Sequence, residues 1–532
     1  MERLFRATWV FLLIVTMIGG NAGSIGAVSS QANGFYVPLR FIAEAQGASV
    51  DWDDATRKAT VKIGNAQFTV GVSSKQASVN GQEVALDSAP LLINQRIKLP
   101  LDFINQALGT DITEDDCLKA LAAKSMELFK TGSLDDLQVY CSDRLNRALP
   151  ASSGQMVGLM QALGEIEPQD VVLDKNAVHQ NVTITYSTTS MGRVAFTFKF
   201  DHEGLLDDLS PIRPVSDIAY KAPAYDQPGK YTESQVVVGS GEWQLPATLT
   251  IPQGKGPFPA VVLVHGSGQN DRDETIGPLK VFRDLAVGLA SQEVAVLRYE
   301  KRTLEHNFAT TLVPDFTVYD ETIDDAIAAA DLLKNVPGID AGRIFVLGHS
   351  QGGMCIPRIL NGAAEGTIKG AVIMSGPTRP FLEIMPDQYK YLMSLGMATQ
   401  EQYDFIKAQM DMIGDPGFDP LKPPPGYVMG TPSWWADIKN YDPAAEAAKQ
   451  TISLLILQGQ RDYQVTFAQD FKGWQEALAS RNNVTYKLYP KLNHVYTEGE
   501  GTMSSPAEYA KQANIPVYVI EDISRWIKTT SK

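Results

Sequence analysis

Ile344-Phe345-Val346-Leu347-Gly348-His349-Ser350-Gln351-Gly352-Gly353 decides how the rest of this chain is read. Four apolar residues make a short buried strand. The next five, Gly348 to Gly352, fit G-x-S-x-G, in which a serine sits on a sharp turn between strand and helix. A residue at the tip of such a turn is held in a strained backbone conformation, and the glycines two before and two after it let neighbouring segments pass closely. That exposes Ser350 Oγ as a nucleophile. Three fixed positions in five also occur in plain Gly-Ser loops, so the flanking chain must decide between the readings.

From Tyr231 onward the pattern is strand, strand, then a regular alternation of strand and helix. The apolar runs Ala260–Val264, Val294–Leu297, Ile344–Leu347, Ala371–Met374 and Leu454–Leu457 are short and continuous, as expected of parallel strands covered on both faces. Helical spacing over Tyr319–Asn335 and Gln464–Ser480 supplies crossovers. The fold class is α/β, an open, doubly wound, mostly parallel sheet, and such sheets carry their sites beyond the carboxyl ends of the strands.

Three features fall at those ends. Ser350 follows Ile344–Leu347. His265-Gly266-Ser267-Gly268 follows Ala260–Val264, and a glycine-rich turn there can aim backbone N–H groups at an oxyanion; one such donor is worth a factor of about 100 to 1,000 in turnover. Asp462 follows Leu454–Gln458, and His494 follows a further strand, Thr485–Tyr489. A serine hydroxyl needs a base, which an imidazole supplies, and a buried carboxylate holds that imidazole in the working tautomer. The chain has six histidines. His179 and His202 lie in another module and read as surface residues, His265 and His349 are built into turns, and His306 is in a polar loop. His494 is left, and the order Ser350, Asp462, His494 is the one expected of this fold.

With these residues in place, 231–532 resembles the α/β-hydrolase superfamily. The strings His265-Gly266-Ser267-Gly268-Gln269-Asn270-Asp271-Arg272-Asp273-Glu274 and Leu297-Arg298-Tyr299-Glu300-Lys301-Arg302 look closer still to a subgroup of bacterial carboxylesterases. The resemblance implies Ser350 as nucleophile, His494 as base, Asp462 as its orienter, and an oxyanion hole from the N–H of Gln351 and one near Ser267. It implies no cofactor and no metal. Thr303 stands where relatives have glycine, which bears on the local loop shape. Between Ser375 and Asp442 the strand and helix rhythm stops, and an insert over about 376–442, rich in Met, aromatics and proline, reads as a helical lid; each Met there fits either an adaptable acyl pocket or ordinary helical packing.

The 532 residues suggest two to four domains, and 44% hydrophobic against 20% charged residues describes a globular chain. A net charge of -15 repels phosphate backbones and argues against nucleic acid as a partner. Arg3 and Arg6, an apolar run Ala7–Ile18 and small residues to Ala32 make residues 1–32 a secretory signal peptide, with cleavage near Ala27 to Ala32. The expected location is secreted or cell-envelope associated. Cys117 and Cys141 either pair or pack as small buried hydrophobes; Cys355 is the third cysteine.

Pro38-Leu39-Arg40-Phe41-Ile42-Ala43-Glu44-Ala45-Gln46-Gly47 and Pro100-Leu101-Asp102-Phe103-Ile104-Asn105-Gln106-Ala107-Leu108-Gly109 share Pro, Leu, Phe, Ile, Ala and Gly at matching positions, 62 apart (100 - 38). Each reads as a short helix entered through proline. The alternating segments between them are separated by Gly64-Asn65 and Asn80-Gly81, which are hairpin signals. Residues 33–112 resemble the stalk module named after the N-terminal domain of copper amine oxidases, which implies a spacer or envelope-attachment role and, with no histidine in the segment, no copper site. Residues 115–214 read as a small α+β module, with helices over Leu118–Phe129 and Gln155–Leu163 and strands over Val182–Tyr186 and Val194–Phe200. They look like the cone-shaped, nuclear-transport-factor type of domain that precedes some exported hydrolases. Residues 215–230 read as the linker into the last domain.

The leading reading is a secreted serine esterase acting on a small-molecule acyl ester. A peptidase or thioesterase with the same triad is the enzymatic alternative, and a non-catalytic envelope-binding protein is the other.

Overall fold

The computed structural model describes residues 35–530, so the expected signal peptide lies outside the described residues. Two compact units divide at Arg213/Pro214.

In the first unit, the repeated Pro-Leu-x-Phe-Ile stretches become helices Leu39–Ala45 and Leu101–Leu108, each entered from a strand. Those two strands, Tyr36–Pro38 and Arg96–Pro100, pair antiparallel with each other. A five-stranded antiparallel meander from Ser49 to Ala85 lies between them in sequence. Its tight turns use Gly64, Asn80 and Gly81 at φ of 52°, 50° and 82°. The chain continues through helices Glu114–Thr131 and Asp143–Leu163 into a sheet ordered Leu206–Leu209, Gly192–Phe200, Gln180–Thr188, Ile166–Lys175. Ile166–Lys175 is an edge strand that periodicity does not reveal, because its side chains are nearly all exposed and show no alternation. His179, expected at the surface, is buried 3.1 Å from Asp207 Oδ2, where a salt-bridged carboxylate holds it inside. His202 is exposed. Cys117 and Cys141 are unbonded and buried, and burial pushes the Cys117 thiol up to about 12.

The second unit is built on one eight-stranded sheet. Its strands are β1 (Tyr231–Val238), β2 (Leu245–Pro252), β3 (Phe258–Val264), β4 (Ala295–Tyr299), β5 (Ile339–His349), β6 (Gly370–Met374), β7 (Ser453–Gly459) and β8 (Val484–Tyr489). The order is β1-β2-β4-β3-β5-β6-β7-β8. The β1–β2 hairpin is antiparallel, β2 meets β4 antiparallel, and from β4 to β8 every pair is parallel. Strands β3 and β6 are buried along their whole length, as continuous apolar runs between two helical layers must be. Tyr220 and Tyr225, in the stretch read as a linker, donate hydroxyl bonds to Asp284 Oδ1 (2.8 Å) and the Ile515 carbonyl (2.7 Å), so this stretch is pinned to the second unit.

Between β6 and β7 the insert forms helices Phe381–Ser394, Gln400–Gly414 and Pro432–Ile438. Met385, Met410 and Met429 are buried in the same apolar cluster as the sheet, so for these three ordinary packing is what the side chains do. Among the described residues no helix is long and apolar enough to cross a membrane.

The elbow depends on a backbone contact. A Cβ on Gly352 would lie 2.3 Å from the Val264 carbonyl oxygen and 2.6 Å from that of His265, and one on Gly348 would lie 2.2 Å from the Gly352 oxygen. The Val264 oxygen cannot retreat without disturbing the β3–β5 ladder, in which Val264 faces Gly348. Gly352→Ala is expected to destabilise the second unit by about 3 kcal/mol, read from urea unfolding of the full chain; a loss below about 0.5 kcal/mol would contradict the contact.

Candidate active site

Ser350 stands between β5 and helix Gln351–Gly362 with φ 52° and ψ -117°, an unusual conformation for a residue with a side chain. Its N–H donates to the Met374 carbonyl at 2.9 Å, which ties the turn to the end of β6. The two readings left open by the motif are separated here: the turn is a strained strand-to-helix elbow.

At the ends of β7 and β8, Asp462 and His494 meet. His494 Nδ1 lies 2.8 Å from Asp462 Oδ2, with side chains 6% and 0% exposed. The aspartate also accepts Gln458 Nε2 at 3.1 Å and the N–H groups of Gln464 and Val465 at 2.8 and 3.0 Å. A carboxylate so surrounded by donors accepts, so Nδ1 donates and Nε2 carries the lone pair of the neutral ring. Glycine again permits the approach: a Cβ on Gly459 would sit 2.5 Å from the Leu492 oxygen and 2.6 Å from that of Asn493.

His349, next to the serine, links the two halves. Its Nε2 donates to the His494 carbonyl at 3.0 Å, and the two rings lie 4.8 Å apart. Its Nδ1 is 2.9 Å from Glu274 Oε2, and Glu274 Oε1 accepts the Gly266 N–H at 2.8 Å. Both ring nitrogens thus face acceptors. Burial works against the charged ring, the Glu274 carboxylate outweighs it, and His349 is held above the ordinary imidazole range. Burial likewise opposes the charge on Glu274, and the His349 cation with its contact holds that carboxyl below its usual range.

The Gly266-Ser267-Gly268 turn reaches the serine. A Cβ on Gly266 would lie 3.2 Å from Ser350 Cβ. The Gly266 carbonyl accepts Lys301 Nζ at 2.8 Å and Asn270 Nδ2 at 3.1 Å. In a trans peptide unit the N–H points opposite to the C=O, so the Ser267 N–H is turned away from Lys301 and Asn270. The Gln351 N–H, at the first position of its helix, has no acceptor within that helix.

Several residues quoted in the motifs acquire partners that spacing could not supply. Arg298 bridges Glu233 and Asp273, Arg272 holds Glu300 at 2.5 Å, and Lys301 meets Glu321 Oε1 at 2.8 Å. Thr303 sits in the short helix Arg302–Glu305 and is absent from the positive-φ residues, so this position does not require glycine. Burial pushes His265 down to about 4, and the neutral ring packs 5.0 Å from Phe282 and 5.3 Å from Tyr299. His306 is buried too, with Nε2 2.8 Å from the Gln244 carbonyl. Among the described residues no group of His, Cys, Asp and Glu is arranged to hold a metal ion.

Residues 261–512 match the Alpha/beta hydrolase family, and residues 27–120 match the Copper amine oxidase N-terminal domain. Esterase EstD of Thermotoga maritima is 36% identical over 397 residues, covering 73% of this chain and 90% of EstD. The chain belongs to the alpha/beta hydrolase family, as an esterase-type member. The likeness to EstD exceeds the stretch from Pro214 onward: 73% of 532 residues is about 388, against 319 (532 - 214 + 1) from Pro214 to Lys532. Among solved structures, an esterase of Pyrococcus furiosus is 16% identical, covers 59% of this chain and 99% of its own, and has a TM-score of 0.36. Est1E of Butyrivibrio proteoclasticus is 17% identical, covers 56% and 98%, and also scores 0.36.

The Glu274–His349 pair sets a pH-dependent expectation. The raised His349 contributes stability in full below its ordinary value of 6.5, lost as pH rises through the folded value; the lowered Glu274 contributes in full above 4.5, lost as pH falls. Both are complete between 4.5 and 6.5. Glu274→Gln is expected to cost about 3–5 kcal/mol at pH ~5.5, and less at pH ~9, where the histidine is closer to neutral in both proteins. Equal losses at the two pH values in urea unfolding would contradict the pairing.

Proposed function

We propose that this protein is an exported serine esterase that hydrolyses small-molecule carboxylic esters through an acyl-enzyme. Ser350 attacks the ester carbonyl, His494 Nε2 takes its proton and returns it to the leaving alcohol, and Asp462 orients the imidazole and stabilises its cation. The N–H groups of Gln351 and Ser267 receive the oxyanion. Water, activated by the same histidine, then releases the acid. The single observation that carries this reading is the 2.8 Å contact of His494 Nδ1 with buried Asp462, in a chain whose Ser350 is held at φ 52° on an elbow. The His349 bond to the His494 carbonyl supports it, since it ties the base loop to the residue beside the serine.

Ester preference follows the family membership and the 36% identity to esterase EstD. A fluorophosphonate is expected to add once, on Ser350. Ser350→Ala is expected to abolish that adduct and to lower kcat about a millionfold. An adduct elsewhere, or a rate within about tenfold of the parent, would overturn the nucleophile. On matched ester, thioester and peptide substrates, a higher kcat/KM on the peptide would overturn the ester assignment.

Export rests on the Arg3, Arg6 and Ala7–Ile18 pattern. The copper amine oxidase N-terminal domain match over residues 27–120 is consistent with an envelope-facing spacer. N-terminal sequencing of the protein from its native host is expected to begin between Ala27 and Ala32; a chain that keeps Met1 and stays inside the cell would refute export.

A further inference from the structure

Glu321 stands in a short π-type helical turn, Tyr319–Ile323, and is buried. π-turns inside helices occur often at functional positions. Its carboxylate gathers three donors from three parts of the second unit. Oε1 lies 2.8 Å from Lys301 Nζ, just beyond β4. Oε2 accepts the side-chain amide of Gln351 at 2.7 Å and the indole N–H of Trp434, on the insert helix Pro432–Ile438, at 2.6 Å. Lys301 in turn holds the Gly266 carbonyl.

Each of the first two links ends on a peptide unit of the oxyanion hole. Gln351 contributes its own N–H. Lys301 grips the carbonyl whose peptide partner is the Ser267 N–H, and in a planar trans unit fixing the one fixes the other. Glu321 touches neither substrate nor the reacting atoms. A buried carboxylate without its partners would be costly, so this one enforces the positions of its donors.

We propose that Glu321 is the positioning residue of the oxyanion hole, holding both donor peptides in register and joining them to the insert through Trp434. The inference rests on the reading of Ser350 as nucleophile and of Gln351 and Ser267 as donors. Its consequence is a division between the two arms. Loosening Glu321 spoils the transition state and leaves ground-state ester binding alone. Removing only the Trp434 N–H releases this helix from Glu321, with Asp437 still paired to Arg358 at 2.9 Å, and acts on substrate binding.

The test uses the full chain, with Glu321→Gln, Gln351→Met and Trp434→Phe. Glu321→Gln is expected to lower kcat about 100-fold with KM within about threefold. It is also expected to weaken an alkyl boronic acid, which forms a tetrahedral anion on the serine, by a similar factor. Gln351→Met, which keeps the backbone N–H and removes one tether, is expected to lose about tenfold in kcat. Trp434→Phe is expected to change KM more than kcat. A purely structural Glu321 would lower the yield or the unfolding midpoint and leave the kcat and boronate affinity of the folded fraction unchanged; kcat within about threefold in Glu321→Gln overturns the proposal. If Glu321→Gln does not fold, Gln351→Met decides by the same threshold. Fluorophosphonate labelling separates the two failures. A labelled Ser350 with unaltered kcat in the variants sinks Glu321 alone, and a parent protein that takes no label at Ser350 sinks the nucleophile reading and this inference with it.

Discussion

The second unit depends on the contact between the elbow helix and the end of β3. Gly352 lies so close to the Val264 and His265 carbonyls that no side chain fits, and Gly348 is equally close to Gly352. That closeness holds Ser350 in a conformation which costs energy for a residue with a Cβ. The surrounding ladder over-determines it: Val264 pairs with Gly348, and the Ser350 N–H is taken by Met374. The Gly266-Ser267-Gly268 turn packs against the same elbow, a Cβ on Gly266 falling 3.2 Å from Ser350 Cβ, so the elbow and this turn are held together. Gly459 repeats the device at the other end, pressing the loop of Asp462 onto that of His494.

Around these backbone contacts the chain buries charges, which calls for explanation because each is costly to desolvate. Glu274, Lys301, Glu321 and His349 are each nearly inaccessible. None is isolated. Glu274 joins the Gly266 N–H to His349, His349 joins Glu274 to the His494 carbonyl, and Lys301 joins the Gly266 carbonyl to Glu321. Gly266 is therefore held from both sides, its N–H by one carboxylate and its C=O by one ammonium. An apolar core could fill the same volume at less cost but could not fix the direction of a peptide dipole, and direction is what an oxyanion site needs.

Much of this was legible in the sequence, for reasons that differ by element. The parallel strands are continuous apolar runs ended by glycine or polar residues, so β3 to β7 could be read to within a few residues. The Pro-Leu-x-Phe-Ile repeat announced two equivalent helices because proline and glycine punctuate both. Asp462 and His494 were found by position after strands, and the structure brings them together. The edge strand Ile166–Lys175 is not legible, since a strand exposed on both faces has no hydrophobic period. The burial of His179 is not legible either, because its partner Asp207 is 28 residues away and nothing local marks the pair. Glu321 and Trp434 stand 113 residues apart, and the Gln351 side chain, valued in the sequence only for its backbone N–H, is the third member of that set. Periodicity reports which face of an element is buried; it does not report which distant polar group a buried polar group will choose.

The insert shows where that limit matters for chemistry. Its methionines fit an adaptable pocket or ordinary packing alike, and Met385, Met410 and Met429 belong to the common apolar cluster, where thioethers fill gaps between rigid neighbours. Polar links toward the elbow come from Asp437, paired with Arg358 of the elbow helix at 2.9 Å, and from Trp434, whose indole packs against Phe381 and Trp435 while its N–H reaches Glu321. An indole suits that task because its body binds by apolar contact and its one donor has a single direction. The insert is therefore joined to the elbow helix through an oriented bond to a carboxylate that also holds Lys301 and Gln351, beside the Arg358–Asp437 ion pair of the same two helices. Trp434 ties the insert helix to that carboxylate, while Lys301 and Gln351 keep bonds to it of their own.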